Sequence, residues 1–119
     1  MTDIQKLTKL ITDFRDARNW KQFHNPKDLA LSLLLESAEV LEHFQWKNPA
    51  EIEAHIKKNR GEIGEELADT LYWILLMAHD LDIDIVKAVK EKMKQNARKY
   101  PVSKAKGNHK KYTELREKA

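Results

Sequence analysis

The sequence contains no cysteine and only 3 glycines and 3 prolines among 119 residues. Without thiols it can build no disulfide framework, no cysteine-ligated zinc and no thiolate nucleophile. The cytoplasm is the compartment such a chain suits. Few chain breakers, set against many Leu, Ala, Lys and Glu, favour helix over sheet. Long apolar runs are missing as well. The most apolar window, Leu67 to Leu81, is interrupted by Asp69, His79 and Asp80, and is too short and too polar to span a bilayer. The N-terminal stretch is polar, unlike a signal peptide. There is no glycine-rich phosphate loop, no Glu-x-x-His pair of the di-iron type and no EF-hand loop.

Hydrophobic residues make up 41% and charged residues 34%, a globular balance, and the length predicts one domain over residues 1–119. A core this small would gain from oligomerisation. The net charge of +3 is unevenly spread. Acids concentrate between Glu36 and Asp84, while Lys and Arg dominate from Lys87 to Lys118. An acidic centre beside a basic end suits a polyanion held through a metal; a solvated basic tail is the plainer account.

The pattern predicts four main helices. The first covers Asp3–Arg18, opened by a Thr2/Gln5 capping box, with Ile4, Leu7, Leu10, Ile11 and Phe14 on one face. An aromatic connection, Asn19 to His24, leads to Asn25-Pro26, a cap followed by proline at the first helical position. Helix two then runs to about Trp46. Asn48-Pro49 restarts the chain into a short segment, Ala50–Lys58, which Asn59-Arg60-Gly61 breaks. Helix three is expected over Glu62–Leu81, apolar nearly all round from Leu67 to Ala78 and therefore central. Asp82 to Asp84 cap helix four, Ile85–Tyr100, whose apolar stripe is Val86, Val89 and Met93 and which Pro101 ends. A lysine-rich tail occupies 101–119.

The chemistry is concentrated in two acidic pairs. Glu36 and Glu39, and again Glu66 and Asp69, are three residues apart and share a helical face. Both pairs lie in apolar runs, where a carboxylate is costly unless paired, protonated or metal-bound. Four oxygen donors without sulfur describe a hard-cation site, magnesium first and manganese second. Carboxylates at this spacing commonly face solvent, and that account suits Glu62 and Glu65; for Glu36 and Asp69 both readings stand. Magnesium held by several carboxylates serves phosphate chemistry. With no phosphate loop, the donors available to phosphate are Lys94, Asn96, Arg98, Lys99, Lys110 and Lys111. Trp20, Trp46 and Trp73 suit either base stacking or core packing.

These residues fall in an order that resembles the MazG-like all-alpha nucleoside triphosphate pyrophosphohydrolases, and among them the small dCTP pyrophosphatase branch. The matching stretches are Trp20-Lys-Gln-Phe-His24, Glu36-x-x-Glu39 through Phe44-Gln-Trp46-Lys47, Glu65-Glu66-Leu-Ala-Asp69, Lys92-Met93 with Asn96, Arg98-Lys-Tyr-Pro101, and Lys111-Tyr-Thr-Glu-Leu115. The resemblance implies an all-α, four-to-five-helix bundle, oligomeric as a tetramer or dimer, with neighbouring subunits helping to build the pocket. It implies Mg2+ at Glu36, Glu39, Glu66 and Asp69, which are also the catalytic set. Trp20, His24, Trp46 and Trp73 would line the nucleoside, and Asn96, Lys99, Tyr100 and Lys111 would meet the substrate. Two positions depart from the dCTP-specific pattern. A base-contacting histidine aligns with Ile11, and a tyrosine aligns with Trp73, beside Tyr72.

The expected activity is hydrolysis of a (deoxy)nucleoside triphosphate, dCTP first, to monophosphate and pyrophosphate by water attack at the α-phosphorus. The alternatives are another nucleotide (dATP, dUTP or phosphoribosyl-ATP) and a non-catalytic basic helical module. Neither a membrane nor a stable nucleic-acid partner is expected.

Overall fold

The structure is a computed structural model that describes residues 1–116, and within them every regular element is helical. The last residues of the expected tail, 117–119, lie outside the described residues. The elements are α1 (Asp3–Ala17), a 3-10 turn (Lys21–Phe23), α2 (Pro26–Glu42), α3 (Pro49–Asp80), α4 (Ile85–Lys99), α5 (Val102–Ala105) and α6 (Tyr112–Arg116). They group into two units, Met1–Ile83 and Asp84–Ala119.

The helix starts follow their caps. Thr2 Oγ1 accepts from Gln5 N at 3.2 Å while Gln5 Oε1 accepts from Thr2 N at 2.9 Å. Asn25 Oδ1 accepts from Asp28 N at 2.9 Å ahead of Pro26, and Asn48 accepts from Glu51 N at 2.9 Å ahead of Pro49. Asp84 caps α4 through Lys87 N at 3.1 Å.

In the first unit, α1 and α2 both pack on α3. Leu29, Leu75, Leu76 and Ala78 form the buried apolar set, with Thr12 and Arg15 beside them. Arg15 is 1% exposed and reaches Asp80 with two hydrogen bonds, Nη1 to Oδ2 at 2.6 Å and Nη2 to Oδ1 at 3.0 Å. A planar guanidinium and a carboxylate match in this forked geometry, and the pair ties α1 to the end of α3.

Three expectations change. Helix two ends at Glu42, four residues before Trp46. The chain turns through His43–Trp46, where Trp46 adopts φ +66°, a left-handed conformation that no helix continues, and Asn48 extends ahead of Pro49. The break expected at Asn59–Gly61 is a kink inside one long helix. Only Asn59 leaves helical geometry (φ −120°, ψ 26°), and its side-chain amide donates to the carbonyl of His55 at 3.2 Å, bridging the fault. Finally, full burial in α3 is confined to its last turns, at Leu75, Leu76 and Ala78: Leu67 and Leu71 remain 54% and 40% exposed.

In the second unit, Val86, Val89 and Met93 of α4 are also exposed, so the expected stripe exists but is uncovered. The tail adds two short helices that periodicity did not predict. Tyr112 of α6 lies edge-on to Tyr100 at 6.2 Å and carries Lys99 Nζ 4.8 Å from its ring centre.

Removing one partner of a buried, forked ion pair leaves the other charge unpaired. Asp80→Ala is expected to lower unfolding free energy by about 3 kcal/mol in urea titrations, with the m-value unchanged.

Candidate metal and nucleotide site

The acidic pairs meet where α2 and α3 lie side by side. Glu36, Glu39 and Glu66 each offer a carboxylate oxygen, and these oxygens lie within 4.8 Å of one another. Asp69 stands outside that trio, but its charge reaches both Glu36 and Glu66, and it shares a cavity wall with Glu36. The Oε2 atoms of Glu36 and Glu66 are buried without a hydrogen-bond partner among the described residues. Like charges this close resist ionising together. A hydrogen bond shared with Glu39 pushes Glu66 up to about 7, aided by desolvation and by the charges of Glu39, Glu36 and Asp69. Glu36 is raised too, first by burial and then by Glu39 and Asp69. Orphaned acceptors, all-oxygen donors and mutual repulsion fit a hard divalent cation, which would satisfy the lone pairs and cancel the charge.

Above the carboxylates lies a cavity of about 530 Å³. Leu10, Ile11 and Phe14 of α1 form one side, Trp20 follows from the connection, and Tyr72 and Trp73 close the other, with Glu36 and Asp69 as the acidic part of the lining. The rings brace each other edge to face: Phe14 with Trp20 at 5.7 Å, Phe14 with Tyr72 at 6.4 Å, and Tyr72 with Trp73 at 5.0 Å. Arg18 stacks over Phe14 at 3.7 Å. Asp69 and Trp73 are one turn apart on α3, so the same helical face presents both the acid and the ring.

The remaining site residues are distributed less simply. His24 does not line this cavity. It sits edge-on to Trp73 at 5.5 Å and borders a second cavity of about 280 Å³ with Lys21, Leu29, His79 and Asp80. Its buried Nδ1 has no partner among the described residues, and burial followed by Arg15 lowers its pKa. Trp46 is 92% exposed on the turn after α2 and does not line the cavity of its own chain. Asn96, Lys99, Tyr100 and Lys111 all belong to the second unit. There Lys99 borders a cavity of about 430 Å³ with Gln95, Arg98 and Tyr112. Leu10, Phe14 and Tyr72 were missed as cavity walls because spacing alone marks them as core; the signal was the aromatic Phe14 one turn after Leu10, facing an acidic pair.

A model of the MazG-like family matches residues 31–115. The chain belongs to the MazG-like family. It is 38% identical over 114 residues to dCTP pyrophosphatase 1 of Rattus norvegicus, an alignment that covers 94% of this chain and 67% of that protein. To dCTP pyrophosphatase 1 of Homo sapiens it is 36% identical, with the same coverage. Among solved structures, a pyrophosphatase from Archaeoglobus fulgidus matches with a TM-score of 0.80 and 39% identity, covering 85% of this chain and 94% of that one. This MazG-like chain is accordingly an enzyme, a nucleotide diphosphatase that hydrolyses phosphoric anhydrides. The non-catalytic module is set aside. No helix of the described residues is long and apolar enough to cross a membrane.

The raised Glu66 predicts a pH signature in the metal-free protein. Its folded pKa, about 7, exceeds the ordinary glutamate value, so its contribution is fully present at low pH and is lost as pH rises through 7. In EDTA, the Tm of Glu66→Gln relative to wild type is expected to rise between pH 5.5 and pH 8. A constant difference would mean that the carboxylates do not share a proton.

Proposed function

We propose that this MazG-like enzyme converts a deoxynucleoside triphosphate, dCTP first among them, to the monophosphate and pyrophosphate by water attack at the α-phosphorus. The observation that carries this reading is the meeting of three carboxylates beside an aromatic cavity whose wall includes Glu36 and Asp69. In this reading Glu36, Glu39, Glu66 and Asp69 hold the cation, Mg2+ by preference and Mn2+ in its place. Once bound, it would neutralise phosphate oxygens and acidify a water.

The other tasks fall to the chain. Trp20 and Trp73 offer ring faces to the base. A carboxylate oxygen left free of the cation accepts the proton of the attacking water; the four carboxylates offer such an oxygen beside the cavity. His24 serves the nucleoside indirectly, by steadying Trp73. Asn96, Lys99, Tyr100 and Lys111 supply donors to the substrate. A homo-oligomer, tetramer or dimer, accounts for the bare apolar side chains of α2, where Leu34 and Leu35 are 65% and 64% exposed. Trp46, outward on its own chain, would then serve the nucleoside site of a neighbouring copy. The setting proposed is the cytoplasm, with no membrane or stable nucleic-acid partner.

A second reading, the same reaction on another nucleotide such as dATP, dUTP or phosphoribosyl-ATP, is favoured by Ile11. This side chain lines the cavity where the dCTP-type pattern has a base-contacting histidine.

With Mg2+, the protein is expected to release pyrophosphate from dCTP, and Glu36→Gln or Asp69→Asn should lower kcat/KM by more than about a hundredfold, the upper end of effects from groups that merely support a metal ligand. Release from a different nucleotide alone would move the assignment to the second reading; release from none in a full panel would end both. Mg2+ added to EDTA-stripped protein should stabilise it, by about 2.7 kcal/mol when its concentration is a hundred times Kd. An unchanged Tm in saturating Mg2+ would remove the cation from the site.

A further inference from the structure

The facing sides of α2 and α3 form one polar seam that extends beyond the carboxylates. On α2, Glu36, Glu39 and the capping residue His43 follow at three- and four-residue spacing. On α3, so do His55, Asn59, Glu62, Glu66 and Asp69. Opposed members meet in antiparallel order: Glu36 feels the charge of Asp69, Glu39 and Glu66 bring carboxylate oxygens within 4.8 Å, and His43 bonds His55. A pair of imidazoles therefore lies beyond the carboxylates, one turn from Glu39 on α2 and, on α3, separated from Glu66 by Asn59 and Glu62.

The geometry of this pair favours one placement of its protons. Asn59 Nδ2 is 3.2 Å from the His55 carbonyl oxygen and 3.1 Å from His55 Nδ1. A carbonyl only accepts, so the amide nitrogen faces it and donates to both groups. His55 Nδ1 is then an acceptor, and the ring proton sits on Nε2. That Nε2 lies 2.9 Å from His43 Nδ1, which must accept in turn and leaves the His43 proton on its own Nε2. The relay from Asn59 to His55 to His43 is complete only while both rings are neutral. Burial is the main influence lowering the His55 pKa; Lys47 and Lys58 act with it, as does His43 in its protonated form, and Glu62 opposes it.

Asn59 is also the residue at which α3 departs from helical geometry. The relay is thus fastened to the kink, and Glu62, Glu66 and Asp69 all lie downstream of it. We propose that His43, His55 and Asn59 are positioning residues for the carboxylate centre: they set the α2–α3 spacing and the kink that bring Glu66 against Glu36 and Glu39. This rests on the metal-site reading above.

The test uses the full chain. Long-range 15N NMR at pH 8 should show both His43 and His55 as Nε2–H tautomers. Calorimetric titration with Mn2+ should show His55→Leu binding tenfold or more weakly, the scale of effects from groups that orient metal ligands. His55→Gln, whose side-chain amide can donate where Nε2 did, should recover most of the affinity whatever its Tm. An Nδ1–H tautomer at His55, a folded His55→Leu that binds Mn2+ as wild type does, or a Gln variant as weak as Leu would each overturn the proposal. Wild type that binds no Mn2+ would remove the metal site, and this role with it. Wild type that binds while His55→Leu is indifferent removes the role alone.

Discussion

Three carboxylates crowded within 4.8 Å cannot all carry their charge without a counter-charge, and the first unit is arranged around holding them there regardless. The seam between α2 and α3 is where that repulsion is contained. Part of it is expressed in the raised pKa of Glu66, which favours its protonated form. The rest is resisted mechanically. Leu29, Leu75 and Leu76 clamp one end of the helix pair, and the His43–His55 contact closes the other.

The placement of hydrophobic and aromatic groups follows from the same constraint. A cavity beside an acidic cluster would normally fill with water. Here Leu10, Phe14, Trp20, Tyr72 and Trp73 make its walls mostly apolar, which strengthens any electrostatic interaction made at its acidic side. The edge-to-face braces give these rings a defined geometry without hydrogen bonds. His24, which the family resemblance grouped with the nucleoside contacts, stands edge-on to Trp73.

Much of this was legible in the sequence, because it rests on local rules. Caps at Thr2, Asn25, Asn48 and Asp84 located helix starts, and three-residue spacing put Glu36 with Glu39 and Glu66 with Asp69. What could not be read was anything set by the partner across a groove. A helix was expected to stop at Asn59-Arg60-Gly61, because the amide that bridges the kink has no local signature. Trp46 was placed inside a helix, because helical propensity does not foresee a residue at φ +66°. Leu67 was expected inside, because hydrophobic periodicity marks a surface that wants cover without saying whether its own chain supplies it. Spacing also marked Asp69 as an equal of its three neighbours, whereas it stands apart from the tight trio and at the cavity wall.

The length of α3 has one more consequence. Beyond the kink at Asn59 it runs unbroken to Asp80, held at the kink by the contact of His55 with His43 and at its end by the fork from Arg15. Glu66 lies 14 residues before Asp80, about 21 Å along the axis at 1.5 Å per residue. A segment fastened at both ends through side chains off its axis is held against sliding and rolling alike. Any displacement of it would change the separation of Glu66 from Glu36 and Glu39 while carrying Trp73 along. The acidic cluster and the aromatic wall of the cavity therefore share one rigid support.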